Sequence, residues 1–448
     1  ETVMYEPRSV VRHHESRSST QRFKEYLCLS HRRKLLERWW GLFEGPGHAV
    51  PVDDDSIEEA IHIAMGSPPR VLVIDDRMPD SRLGSGYSRM FDVVRDISGA
   101  GYRVSVFPTM TSDGDPDVLG ALGVGVVTEP LEKHLARRTV DYEAVVISRP
   151  YNFERCAPLV RELQPRAHLC YDAEALFHRR LEAQADLARP GAAREELRRE
   201  AARSRALESE IASAADTMVC VSGEEAEAAR ALGARAPFVV EPWLSSPELT
   251  PAGFEARSDV LMIASWLAGP ESPNADGLYW FVDNVMPIVK ARLPWVRVQV
   301  SGASPPEEVL AVGGRGVSFV GQLGDIADAY GRSRACIVPL RYGAGVKIKT
   351  VEALQYGVPT IATTVGAEGI DLRGTEALKV TDDPREFAFS LTSLLTDREA
   401  WERQREQIET LDARRKAEQS VVSWGSILAE VLGGRVAVKS RLRQRACR

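Results

Sequence analysis

The chain lacks the basic excess that a phosphate-tracking surface needs: its formal net charge is -7, which argues against general nucleic-acid binding. No apolar run approaches the roughly 20 residues that span a bilayer, and no signal peptide is read at its start. Cysteine is sparse and scattered (Cys28, Cys156, Cys170, Cys220, Cys336, Cys447), with no CxxC pair and no histidine at ligand spacing. That usage predicts reduced thiols in a cytoplasmic protein and no metal site. A methionine start is missing too: the chain opens on Glu1, which predicts a fragment of something longer. What is present is ordinary for a globular protein, with 44% hydrophobic and 27% charged residues. A length of 448 residues allows about three folding units.

Strands and helices alternate through most of the chain. VLVIDD (71–76) is a near-continuous apolar run ending in two acids, and Gly84-Ser85-Gly86 forms a loose loop behind it. Helical periodicity then runs to Gly99-Ala100-Gly101, and YRVSVF reads as the next strand. This is a βαβ unit, so a parallel sheet with the loop at its carboxyl edge is expected. The spacing is not GxGxxG followed by an acid, which disfavours a dinucleotide oxidoreductase. A phosphoacceptor receiver needs an aspartate at the end of its third strand, whereas AVVIS (144–148) runs into Ser148-Arg149-Pro150. Further strands read at 123–127, 167–172 and 217–222. Residues 173–215 read as a helix-turn-helix excursion broken at Pro190-Gly191, with Glu195 and Arg199 as an i,i+4 pair.

Four prolines between 237 and 257 mark an interdomain hinge. A second α/β series starts at Ser258, and the stretch from 383 to 432 is helical. The expected organisation is a 1–45 remnant of a preceding domain, a 46–69 linker, a first α/β domain over 70–245, a 246–257 hinge, a second over 258–432 and a basic tail over 433–448. Two doubly wound α/β domains facing across a cleft are the fold class predicted, and the cleft is the natural ligand site.

The densest functional signal is RYGAGVKIKTVEALQYGVPTIATTVGAEGI, from Arg341 to Ile370. A loop loosened by Gly343 and Gly345 carries Arg341, Lys347 and Lys349 into a helix holding one acid, Glu352; ACIVPL before it and TIATT after it read as strands. Glycines admit phosphate oxygens to backbone N–H groups, a helix start adds partial positive charge, and a carboxylate one turn on can accept both hydroxyls of a ribose. A solvated helix start with surface lysines is the other reading of the same residues. At a strand end of the first series, YDAEALFHRR brings together Asp172, Glu174 and His178, either as a ligand-facing cluster or as a helix cap with a solvated face.

Over residues 70–430 the order of pieces resembles the family-4 glycosyltransferases of the GT-B fold, most specifically in VLMIASWLAGPESPNADGLYWF and GVSFVGQLGDIADAYGRSRACIVPLRYGAGVKIKTVEALQYGVPTIATTVGAEGI. The resemblance implies that Glu352 binds the ribose and that Lys349, with Arg341 or Lys347 and the loop of Gly343 and Gly345, holds the donor diphosphate. It also implies that Gly86 approaches the phosphates from the opposing domain, that Gly321 lies within the base-contacting stretch from Val320 to Leu323, and that Asn274 belongs to the donor loop. Lys349, Glu352 and Asp172 are the catalytic set so implied, with Asp172, Glu174 and His178 on the acceptor side.

Three departures stand out. Ala344 occupies the place of the family's first motif glutamate, Ser265 and Asn274 occupy the loop where an arginine and a lysine are usual, and the acidic YDAE replaces a histidine. Residues 1–45 resemble the C-terminal end of family-2 transferases at Tyr5, Pro7, Ser9, Val10, Val11, His13, His14, Glu15 and Ser18.

The function implied is retaining transfer from a nucleotide-diphosphate sugar to a glycan or lipid-linked acceptor in bacterial surface polysaccharide synthesis. The nucleotide sugar is a substrate, and neither cofactor nor metal is implied. Peripheral membrane or polysaccharide-assembly partners, at the inner face of the membrane, are compatible with that role. A non-catalytic scaffold half of a bifunctional transferase and a nucleotide-sugar 2-epimerase are the alternatives.

Overall fold

A computed structural model describes residues 68–80, 86–111, 116–137, 141–242, 252–267, 269–303, 305–323, 326–418 and 422–433. The expected family-2-like segment, most of the linker and the basic tail lie outside the described residues. The architecture below falls in one compact unit, residues 69–136 with 141–435.

Two wholly parallel sheets are present. The first has the order β3-β2-β1-β4-β5-β6-β7, built from β1 (Arg70–Arg77), β2 (Arg103–Thr111), β3 (Gly125–Val126), β4 (Ala144–Ser148), β5 (His168–Ala173), β6 (Thr217–Cys220) and β7 (Phe238–Val239). The second has the order β10-β9-β8-β11-β12-β13, from β8 (Asp259–Trp266), β9 (Val298–Ala303), β10 (Val317–Gly321), β11 (Ser333–Val338), β12 (Thr360–Ala362) and β13 (Leu378–Val380). The apolar runs become central strands because helices cover both faces of a parallel sheet, so alternate residues need not be polar. Val71 to Ile74 are all 0% exposed, and burying each such side chain is worth about 1.5–3 kcal/mol.

The excursion over 173–215 is two helices, Phe177–Leu187 and Ala192–Ala214. Arg199 pairs with Glu196 one turn away rather than with Glu195. Within the proline-rich stretch, β7 joins the first sheet through Val219↔Phe238, and the 252–257 end is fixed to the second half. Arg257 donates to the carbonyls of Ala252 at 2.8 Å and of Tyr330 and Ser333 at 3.0 Å.

The final helix, 424–433, does not complete the second half. Its Trp424, Ile427, Leu428 and Leu432 enter the core of the first sheet. Gly425 permits that docking, since its N–H donates to Asp96 at 3.1 Å and a methyl group there would stand 2.5 Å from Ala100 Cβ. The chain therefore crosses between the halves a second time near its end.

Candidate active site

Strand order reverses between β1 and β4 in the first sheet and between β8 and β11 in the second. In open α/β sheets the crevice outside the carboxyl ends at such a switch point is where ligands sit. Asp75 and Asp76 lie near the end of β1 and Arg149 follows β4; Asn274 lies in the helix after β8, and the Arg341–Lys349 loop follows β11. The two edges meet directly. Ser88 Oγ, in the helix after β1, donates to Glu352 Oε1 at 3.1 Å across the halves.

On the second half, the helix Ile348–Gln355 starts at Lys347 with no side-chain cap, and every residue from Ile348 to Leu354 is buried. Its first N–H groups and its dipole thus face the loop. Lys349, 9% exposed, donates to Asn274 Oδ1. Lys347, 8% exposed, donates to Glu368 at 2.8 Å and to the Gly345 carbonyl at 2.5 Å. Gly343 leaves room for that lysine, because a methyl group there would stand 2.9 Å from Lys347 Cε. Burial pushes the Lys349 amine down to about 7, with the charge of Lys347 pushing the same way and Glu352 opposing. Burial lowers Lys347 as well, against the pull of Glu368.

Glu352 receives the Ser88 hydroxyl on one oxygen and the Tyr330 hydroxyl, at 3.2 Å, on the other. Tyr330 is itself fixed by stacking on Tyr356 at 4.8 Å between ring centres. Burial raises the Glu352 carboxyl to about 7, despite these two hydrogen bonds and Lys349. A carboxyl raised on folding above the usual glutamate value destabilises the fold once pH passes through that usual value, and the cost is complete above its folded value. Glu352→Gln should therefore raise the apparent Tm by a few degrees at pH 8 and by nothing at pH 5, where the native group is protonated. A differential scanning series over pH 5–8 checks this, and a Tm gain that does not grow with pH contradicts it.

On the first half, Arg149 gathers the edge acids. Its guanidinium lies 2.9 Å from Asp75 Oδ1, 2.9 Å from Asp76 Oδ2 and 3.3 Å from Glu174 Oε2. Its backbone has φ 74, the one non-glycine residue with positive φ among the described residues. A conformation so unfavourable for a side-chain-bearing residue persists only where the surroundings over-determine it. The Tyr151 hydroxyl donates to Asp76 at 2.5 Å and Asn152 Nδ2 donates to it at 3.0 Å. Burial raises the Asp75 carboxyl to about 6, against the opposing charge of Arg149.

Several expected site residues are placed differently. Asp172 is 0% exposed, with both oxygens held by Arg89 at 2.7 Å, so it positions the helix after β1. His178 is buried and its Nδ1 lies 2.5 Å from Glu208, which also accepts from the Phe177 and His178 N–H groups at the start of that helix. It too is withdrawn from the edge, leaving Glu174 as the accessible member of the trio. Arg341 forms an ion pair with Asp276 rather than standing free in the loop. Gly86 begins the helix after β1, and Gly321 ends β10 with φ 70. Ser88, Arg89, Arg149, Tyr330 and Glu368 carry no spacing that marks them in the sequence. Among the described residues, no three His, Cys, Asp or Glu side chains converge as a metal site would require.

Residues 260–397 match the family described as "Glycosyl transferases group 1", a span that contains Asn274, Gly321 and the whole Arg341–Glu352 loop and helix. Among curated proteins, an uncharacterised 44.6 kDa protein in the cps region of Klebsiella pneumoniae is 24% identical over 124 residues, 26% of this chain and 32% of that protein. The alignment thus spans about a third of that relative's length. Among solved structures, the fold resembles Anabaena HepE in complex with UDP and glucose, with a TM-score of 0.58, 15% identity and coverage of 82% of this chain and 100% of that one. It also resembles a sucrose-phosphate synthase from Thermosynechococcus elongatus, with a TM-score of 0.54, 16% identity and coverage of 83% and 100%. The architecture is GT-B, and within it residues 260–397 carry the match to a glycosyltransferase family.

Proposed function

We propose that this chain is a glycosyltransferase that moves a sugar, with retention at its anomeric carbon, from a nucleoside diphosphate to a hydroxyl of a glycan or lipid-linked acceptor. The observation that carries the reading is one local arrangement: two buried lysines at the uncapped start of a buried helix, with a buried carboxylate one turn further in. A lysine amine whose proton is loosened by burial gains most from a multiply charged anion, and a diphosphate supplies that charge. Glu352 already holds two hydroxyl groups in this structure, and vicinal hydroxyls of a ribose present the same donors.

In the reaction the bond between the anomeric carbon and the diphosphate oxygen breaks, and negative charge grows on the leaving oxygens. Lys347, Lys349 and the helix start stabilise that charge, the kind of interaction that usually supplies the largest electrostatic share. The acceptor oxygen forms its bond on the face the diphosphate leaves, and the departing phosphate oxygen takes the acceptor proton. The cations are built into the chain, so transfer is expected to need no metal. The cps-region relative supports a role in bacterial surface polysaccharide synthesis, and the likeness to HepE in complex with UDP and glucose supports a nucleotide-sugar donor.

A thermal-shift panel of UDP, GDP, dTDP and ADP tests the reading. One or more should raise the Tm, and sugar transfer from the matching donor should persist in excess EDTA. No shift with any diphosphate favours a non-catalytic scaffold, and strict metal dependence removes the lysine-based mechanism.

A further inference from the structure

The loop from Arg341 to Val351 holds three cations and no acid, so it can grip a diphosphate but offers no carboxylate to the sugar attached to it. Glu352 is assigned above to the ribose, and Asp276 is occupied by Arg341. At the first-sheet edge Asp75, Asp76 and Asp172 are at most 6% exposed at the side chain. Glu174 differs from all of these. Its side chain is 21% exposed, Arg149 fixes Oε2 at 3.3 Å, and no partner of Oε1 occurs among the described residues.

Glu174 also stands against the donor loop. Gly345 has φ +69, and a methyl group there would lie 2.7 Å from the Glu174 carbonyl oxygen and 3.0 Å from Ala175 Cβ. The Gly345 carbonyl in turn accepts from Lys347 Nζ at 2.5 Å. A chain of contacts therefore runs from the proposed diphosphate cation, through one glycine, to the backbone of the residue that bears the half-free carboxylate. The donor loop thus packs on the segment that carries Glu174.

We propose that Glu174, from the first half, is the carboxylate that reads the hydroxyls of the donor sugar, supplying across the cleft what the loop around Ala344 lacks. The proposal rests on the donor-site reading above. Arg149 is its positioning residue: it holds one oxygen and offsets the charge of the two neighbouring aspartates. The direct consequence is that sugar recognition requires both halves, whereas nucleotide recognition requires only the second. Diphosphate alone should bind without the first half's help, and the sugar should add affinity only through Glu174.

The test separates those two contributions by calorimetry, comparing UDP with UDP-glucose and UDP-N-acetylglucosamine, and GDP with GDP-mannose. In the wild type at least one sugar nucleotide should bind more tightly than its parent diphosphate. Glu174→Gln and Glu174→Ala should leave diphosphate affinity and Tm unchanged and reduce that sugar-dependent gain about tenfold or more, the scale of one charge-assisted hydrogen bond. Unchanged sugar-dependent affinity in both variants overturns the role of Glu174 while leaving the donor site standing. Loss of diphosphate and sugar-nucleotide binding together, with Tm unchanged, also overturns it. Absence of any diphosphate binding in the wild type overturns both proposals.

Discussion

Replacing Lys349 by methionine should lower kcat/KM for sugar transfer by about 10²–10³-fold, the usual loss on removing one group aimed at developing transition-state charge. Methionine keeps the apolar stem and removes the amine, so the core should tolerate it; the buried amine of the native protein is already disfavoured as a cation, as its lowered affinity for protons shows. The apparent Tm is accordingly expected to hold or rise. Loss of activity together with loss of Tm points to misfolding, and activity within a few fold of wild type removes Lys349 from the proposed chemistry.

The same residue sets the expected pH dependence of binding. Because burial brings Lys349 to about 7, the free chain loses that positive charge as pH rises through neutrality, while a bound diphosphate favours the protonated amine. Diphosphate affinity should then fall above about pH 7, by up to tenfold per pH unit. Binding at pH 8 should take up protons, measurable as a dependence of calorimetric heat on buffer ionisation enthalpy. Lys349→Met should remove the proton uptake that this amine supplies, leaving the titration of Glu352, whose carboxyl burial raises to about 7. Lys347, held by Glu368 at 2.8 Å, supplies the residual attraction that such a variant retains.

The parts of this protein legible in its sequence are those whose physics is local. AVVIS is read as a buried strand because a parallel strand covered on both faces is apolar throughout, and β4 is buried along its whole length. The Gly343-to-Lys349 loop is legible because glycine and cation spacing within one turn of chain expresses its chemistry directly. Partners distant in sequence are not legible in this way. Ser88 and Glu352 are separated by 264 positions, Arg89 and Asp172 by 83, and Arg341 and Asp276 by 65. Nothing in a local pattern distinguishes an arginine that grips a ligand from one neutralised by an aspartate a helix away. The helix 424–433 shows the same limit at domain scale: its apolar stripe predicts a helix, and only the packing shows which sheet it covers.

Removing the Asp172 carboxylate should have the largest effect on stability. The guanidinium of Arg89 is 4% exposed at the side chain and the carboxylate 0%, and the two are joined by parallel bonds of 2.7 Å. Burial works against the charge of Arg89, and Asp172 more than restores it. Asp172→Ala leaves that cation enclosed without a partner, which typically costs about 3–5 kcal/mol, read as a lowered midpoint in urea. Pairing the change with Arg89→Met removes both charges and should recover most of the loss, because replacing a whole buried pair with apolar groups is often close to neutral. The double variant also decides what Asp172 does in catalysis. If Asp172 only fixes the helix that carries Ser88, restored folding should bring back transfer with an unchanged pH profile. If Asp172 accepts a proton, the refolded double variant stays inactive, and the aspartate returns to the reacting groups.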